Sequence, residues 1–302
     1  MEKIGVVTIT YNSEHVLDDF LDSVFNQTYS NFYLYIIDNS SKDDTNRILL
    51  DIADSRLRIK NNDTNIGVAA ANNQGIRLAL GEGCSHILLL NNDVIFEENL
   101  FEKMLLIHQE KKCSLLSPKI KYFSNSNLIW YAGSSFVKLK GFLPIHFGMG
   151  SEDYGQFDVD RFVQYAPTCC LSIKKEVFND VGFMDEKYFV YFDATDFLFR
   201  VLKHGKHSLY YFSDVNFYHK VGSLTRSFEF KNKNTYRGDF FIKQNIKNHV
   251  YFLKKIGTLY AYFYIVLLFF KNNLRIIINN DIKCDIKTWI LINKSYFQGI
   301  RM

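Results

Sequence analysis

Polar side chains gather at three places where an apolar, β-branched run stops. Thr8, Thr10, Tyr11 and Asn12 close the run 4–10. Asp38, Asn39, Ser40 and Ser41 close the run 32–37, and Asn91, Asn92 and Asp93 close the run 86–90. Amides and hydroxyls of this kind hydrogen-bond a polar ligand, and a carboxylate beside them can serve a divalent cation. Asn, Asp and Ser are also the residues that build turns and cap helices after strands. Turn chemistry accounts for any one cluster. Three at strand ends converge on one cleft, because ligands of open α/β sheets bind beyond the carboxyl ends of the strands.

The elements that must position these groups alternate in type. Strand 4–10 is followed by a helix over 14–26, with Val16, Leu17, Phe20, Leu21, Val24 and Phe25 at helical spacing and Ser13 as its N-cap. Strand 32–37, a helix over 43–54, a short strand 57–60, an Ala-rich helix 67–80, strand 86–90 and a helix 98–109 follow. Such alternation predicts an α/β fold with a mainly parallel central sheet, right-handed crossovers and helices on both faces. From 115 to about 221, strand-like pieces (115–122, 135–138, 170–173, 208–211) mix with helices near 175–181 and 195–204. Two helices are expected beyond that. The first strand–helix turn reads TYNSEH, without the GxGxxG of dinucleotide sites, and GxxxxGK[ST] occurs nowhere, which argues against NAD and against P-loop phosphate binding.

The chain has 302 residues, 47% hydrophobic and 23% charged, a globular balance that excludes disorder. Its net charge of +4 is too small to mark a nucleic-acid binder by itself. The charge is uneven: residues 231–302 carry 13 Lys and Arg against 3 Asp and Glu, whereas residues 1–230 carry 23 against 29. Five cysteines without a CxxC pair, and an opening apolar run too short for a secretory signal, read as reduced thiols in a cytoplasm.

Several segments in order resemble the family 2 glycosyltransferases of the GT-A fold: 6–45, NIGVAAANNQGI at 65–76, ILLLNNDV at 87–94, DYGQFD at 153–158, the stretch 170–200 and FYHKVGS at 217–223. The resemblance covers about 4–225 and is nearest to bacterial rhamnosyl-, galactosyl- and galactofuranosyltransferases of surface polysaccharides. It implies a glycosyltransferase domain over 1–225, with a nucleotide-sugar half at about 1–120 and an acceptor half at about 121–225. The remainder, 226–302, is a basic, aromatic helical extension.

The resemblance further implies an inverting enzyme that uses a UDP- or dTDP-sugar donor, Mg²⁺ or Mn²⁺ and a saccharide acceptor, often lipid-linked. Asp38 would read the base, with Thr8, Tyr11, Asn12 and Ser40 around it. Asn65 and Gly67 would present helix N-terminal amides, and Asn91 and Asn92 would join them. Asp93, the one carboxylate of an NND version of the family's DXD motif, and His219 would serve the metal. Asp153, Gln156 and Trp130 would belong to the acceptor side.

The family commonly carries two adjacent acids and a third two residues on. This chain has Asp193-Ala194-Thr195-Asp196, so the usual general base is replaced by Ala194. Three readings stay open: a base-removed variant, a branch in which Asp193 or Asp196 serves, and a member of weak or no activity. A noncatalytic sugar-nucleotide or glycan-binding protein is the alternative function. The stretch 258–270 is uncharged, flanked by Lys254, Lys255, Lys271 and Arg275, and shorter than the ~20 residues a bilayer requires. It is expected either to lie on the inner face of the cell membrane through 257–278, or to be a packed terminal helix or a homodimer contact.

Overall fold

The computed structural model describes residues 2–221, 237–278 and 282–302. The first part alternates β1 (Ile4–Thr10), α1 (Leu17–Phe25), β2 (Phe32–Asp38), α2 (Thr45–Leu50), β3 (Leu57–Asn61), α3 (Val68–Gly81) and β4 (His86–Leu90). Next come β5 (Val94–Phe96), α4 (Leu100–Glu110), β6 (Leu115–Pro118), β7 (Ile120–Tyr122), β8 (Ile129–Tyr131), β9 (Ser134–Val137) and β10 (Leu143–His146). β11 (Arg161–Val163), β12 (Cys170–Lys174), α5 (Lys175–Val181), α6 (Asp193–His204), β13 (Leu209–Phe212) and β14 (Phe217–His219) complete this part. Three helices follow: α7 (Asp239–Ile256), α8 (Leu259–Ile278) and α9 (Ile286–Arg301).

Eight strands form the central sheet in the order β11-β13-β6-β12-β4-β1-β2-β3. The β3-β2-β1-β4 half is parallel throughout, so the ends of β1, β2 and β4 open on one edge. β12 enters antiparallel between β4 and β6, β13 runs parallel to β6, and β11 closes the far side antiparallel. A smaller sheet, β5-β14-β7-β8, pairs His219 with Val94, the residue after Asp93. α3 lies close across β1, because a Cβ on Gly75 would stand 2.4 Å from Val7 Cγ1.

Four details differ from the sequence-based expectation. The stretch 115–122 is two strands in two sheets, because the chain passes from β6 to β7 at Lys119. α1 starts at Leu17 after Val16, without a side-chain cap; the Ser13 hydroxyl instead accepts the amide of Tyr11 and the side-chain amide of Asn92. α6 begins at Asp193, two residues earlier than expected. Three helices, not two, follow residue 221, and the expected boundary at 225/226 lies outside the described residues.

The main core wraps the central sheet, with Phe20, Tyr35, Phe101 and Phe197 fully enclosed. A second cluster joins Tyr188, ahead of α6, to Tyr251, Leu253, Tyr264 and Tyr296 of α7–α9. The C-terminal helices are therefore packed against the segment that leads into the Asp193–Asp196 acids. Among the described residues no helix is long and apolar enough to cross a membrane.

Candidate functional site

A cavity of ≈ 500 Å³ opens beyond the ends of β1, β2 and β4. Each of the three strand-end clusters sends side chains into it: Tyr11 after β1, Asn39 after β2, and Asn91, Asn92 and Asp93 after β4. Asn65 and Gly67, ahead of α3, line it as well. The Asn65 carboxamide oxygen accepts the Gly67 amide at 3.0 Å, which shapes the entry to that helix.

Other members of the same clusters hold the walls. Thr8 donates to the Leu90 carbonyl at 2.7 Å and Thr10 to the Asp38 carboxylate at 2.8 Å, lacing β1 to β4 and to β2. Asp38 is fully enclosed, and it also accepts the Ser41 amide at 2.8 Å and the Asn46 side chain at 3.3 Å. Its carboxylate is thus satisfied by protein; the neighbouring Asn39 lines the cavity, its side chain donating to the Gly67 carbonyl at 3.4 Å and accepting from Asn62 at 3.0 Å. Asn12 cross-links two loops, donating its amide to Ser41 and accepting from that of Lys42. Ser40, at φ 68°, lies outside the lining.

Asp93 and His219 meet at the cavity although they are distant in sequence. His219 Nε2 stands 3.2 Å from an Asp93 carboxylate oxygen. Antiparallel pairing of β14 with β5 brings them together, and the Lys220 amide donates to the Asp93 carbonyl at 2.8 Å. The Trp130 ring meets the imidazole edge-on at 4.6 Å and so fixes its plane. His219 Nδ1 is buried with no hydrogen-bond partner among the described residues. Among the described residues no group of three or more His, Cys, Asp or Glu side chains could hold a metal. Among the described residues the cavity lining contains no Lys or Arg.

Asp153 is elsewhere. It sits in a second, polar cavity of ≈ 510 Å³, accepting from Lys119 Nζ at 2.9 Å and Lys121 Nζ at 2.8 Å. Burial pushes its carboxyl up, but those hydrogen bonds outweigh burial and hold it at about 2. Gln156 ties its own loop, accepting the Tyr154 amide and donating to the Glu152 carbonyl. Trp130 supports His219, so the three expected acceptor residues do not share one surface with the first cavity.

The acids of α6 fall into different roles. Asp196 is 2% exposed and takes one salt bridge from Arg200 Nε at 2.9 Å and another from Lys255 Nζ of α7 at 2.7 Å. Asp193, the first residue of α6, is also buried. Burial pushes its carboxyl up to about 6, against the opposite pull of its own amide and that of Ala194. Ala194 is buried beside it. Tyr191 and Phe192, just before Asp193, sit at φ 63° and 70°. Side-chain-bearing residues at such angles cost on the order of 1–3 kcal/mol each and persist only where surroundings impose them.

The cavity has walls that sequence reasoning missed: Asn72 of α3, Thr168, Phe189, Val190 and Phe240 of α7. Asn72 follows from the amphipathic spacing of α3. Nothing local in the sequence marks Phe240, which reaches the site only because α7 folds back over the segment before α6.

Comparisons with known proteins point one way. The sequence profile described as Glycosyl transferase family 2 matches residues 5–182. "Glycosyltransferase GlyG" of Streptococcus pneumoniae serotype 4 is 29% identical over 193 residues, which cover 62% of this chain and 62% of the relative. "UDP-Glc:alpha-D-GlcNAc-diphosphoundecaprenol beta-1,3-glucosyltransferase WfgD" of Escherichia coli is 27% identical over 126 residues, 42% of this chain and 49% of the relative. The matches thus span less than two thirds of either relative. The crystal structure of S. aureus TarS 1–349 has a TM-score of 0.60 at 14% identity, covering 99% of this chain and 81% of that one. That protein is also solved in complex with UDP and with UDP-GlcNAc. The likeness shows the fold, a GT-A-like arrangement.

Proposed function

The chain belongs to glycosyl transferase family 2, and on that premise we propose that it moves a sugar from a UDP- or dTDP-activated donor to a saccharide acceptor in bacterial cell-surface polysaccharide synthesis. The observation that carries this reading is the convergence of Tyr11, Asn39, Asn65, Asn92, Asp93 and His219 on one cavity of nucleotide-sugar size. The activity for which WfgD is named and the nucleotide complexes of TarS support a UDP-sugar donor.

Among the described residues the cavity is lined by no Lys or Arg, and a divalent cation is proposed to balance the charge of a bound diphosphate. Asp93 and His219 fit a Mg²⁺ or Mn²⁺ ion that takes its remaining ligands from phosphate and water. Bound there, the ion would act as a Lewis acid on the departing diphosphate. Displacement is proposed to be direct and inverting. The acceptor oxygen bonds to the anomeric carbon as the bond to the diphosphate oxygen breaks, the nucleoside diphosphate leaves, and the hydroxyl proton passes to a carboxylate. Asp193 suits that last task better than Asp196, because Asp196 is committed to Arg200 and Lys255.

Calorimetry with UDP, dTDP and GDP, with and without Mn²⁺, tests the donor site. UDP or dTDP should bind in a Mn²⁺-dependent way, and His219→Ala should weaken the Mn²⁺-dependent part by about 10-fold or more. Binding of none of the three, or no effect of Mn²⁺, would overturn the reading. Turnover of Ala194→Asp divides the readings of that position. A rise by orders of magnitude means that the base was missing; an equal or lower but measurable rate refutes that and leaves Asp193 or Asp196 to serve, and no rate in either protein fits a noncatalytic member.

The same extension is proposed to rest on an anionic membrane surface. α8 exposes Tyr262, Phe263, Val266, Phe270 and Leu274 along one stripe, with Lys271 and Arg275 beside it. Pelleting with anionic but not neutral vesicles is expected, with loss in high salt; equal pelleting with both lipids would refute it.

A further inference from the structure

We propose that Asn248 of α7 is a positioning residue that holds the Tyr191–Phe192 turn in its left-handed geometry and thereby fixes Asp193 relative to the donor cavity. Asn248 is completely enclosed. Its side-chain N–H₂ donates to the Val190 carbonyl at 2.8 Å and to the Tyr191 carbonyl at 2.9 Å. The Val190 carbonyl belongs to the peptide before Tyr191 and the Tyr191 carbonyl to the peptide between Tyr191 and Phe192, so one side chain restrains both peptide planes that precede the positive φ angles. Two bonds from one planar amide also fix direction, which a single bond would not.

The turn is held from the other side too. The Phe189 carbonyl accepts the Val68 amide at 2.6 Å, and Val68 opens α3 on the donor cavity. Around the clamp, Tyr191 packs on Phe241 and Phe192 on His249 and Phe252, all three from α7. His249 donates in turn to the Gly141 carbonyl at 2.8 Å. The segment 189–192 therefore spans two anchors, the start of α3 and the middle of α7, and ends at the first acid of α6. Rings and hydrophobic contacts would tolerate small slips of this segment, whereas the paired amide bonds would not. Misplacement of a reacting group by about 1 Å can cost on the order of 100-fold in rate.

This inference rests on the transferase reading for its kinetic test. The test compares Asn248→Leu, which keeps the branched shape and removes both bonds, with the unaltered chain, using UDP-Glc and UDP-GlcNAc in turn as donor. Should Leu not be accommodated, Asn248→Ser is read in the same way. Rates are normalised to UDP-binding sites, so a smaller folded fraction does not register. UDP affinity should stay within about 3-fold while kcat per site falls about 10–100-fold. Adding Tyr191→Gly, which adopts positive φ without strain, should recover a large part of the loss. An unchanged kcat per site, or a loss that Tyr191→Gly leaves untouched, overturns the clamp. If neither the unaltered chain nor Ala194→Asp turns over any donor, it is the transferase reading that fails. Hydrogen exchange across residues 188–197 then decides the clamp alone: faster exchange in Asn248→Leu supports it and equal exchange refutes it.

Discussion

Gly67→Ala is the substitution whose cost the structure specifies most closely. Gly67 sits at φ 87°, ψ 170°, a region open almost only to glycine, so a side chain costs on the order of 1–3 kcal/mol from the backbone alone. The new methyl would also stand 2.5 Å from the Phe189 carbonyl oxygen and 2.9 Å from its Cα. Neither atom can move by changing rotamer, so the 189–192 turn must retreat and the Val68–Phe189 hydrogen bond breaks. Losing that half-buried hydrogen bond costs a further ~0.5–1.5 kcal/mol. The sum is roughly 1.5–4.5 kcal/mol, a large share of a typical domain's stability. Gly182→Ala supplies the control: Gly182 has φ 80° and ψ −170°, but a Cβ there meets nothing within 4 Å. It should therefore lose the backbone part alone. Equilibrium urea unfolding gives the two stabilities, and calorimetry gives UDP affinity, which should fall for Gly67→Ala and hold for Gly182→Ala. Equal destabilisation of the two variants with unchanged UDP affinity would refute the clash and the role of the Val68–Phe189 contact.

Asp193 titrates at about 6 in the folded chain, above its unfolded value of about 3.8, so the native state binds more protons between those limits. Stability should fall as pH rises through that window, by up to about 3 kcal/mol, and level off above it. Asp193→Asn should remove this slope in urea titrations, and an identical slope in both proteins would count against it. Transfer rate should rise through pH about 6 if Asp193 takes the proton, and a rate flat from pH 5 to 7 would exclude that role. Asp196→Ala leaves Arg200 and Lys255 without their shared carboxylate. The expected loss is about 2–4 kcal/mol, at the low side for a buried pair because both cations are partly exposed. UDP affinity measured on the folded fraction should be unchanged, and a stable protein with abolished transfer would instead make Asp196 catalytic.

The sequence by itself determined the α/β alternation, the edge of the sheet on which the cavity opens and the clusters that line it. Those features are local: β-branched runs, helical spacing and turn residues act over a few positions, and parallel strands then carry their ends to one side. Which member of each cluster faces the cavity was decided by tertiary structure. Adjacent residues leave a strand on opposite sides, so Asp38 turns into the Thr10–Ser41 network while Asn39 reaches the opening. The Asp93–His219 pair needed β14 to lie against β5, a pairing no local pattern announces. Asp153 is paired with Lys119 and Lys121 in a separate cavity, an arrangement set by the chain's passage from β6 to β7 and not by the DYGQ segment itself. The basic, aromatic tail carried no sign that α7 closes over the 189–192 turn. That contact depends on Phe240, Asn248 and Lys255 meeting partners more than fifty residues away in sequence, and only the folded chain brings those partners within hydrogen-bond and van der Waals reach.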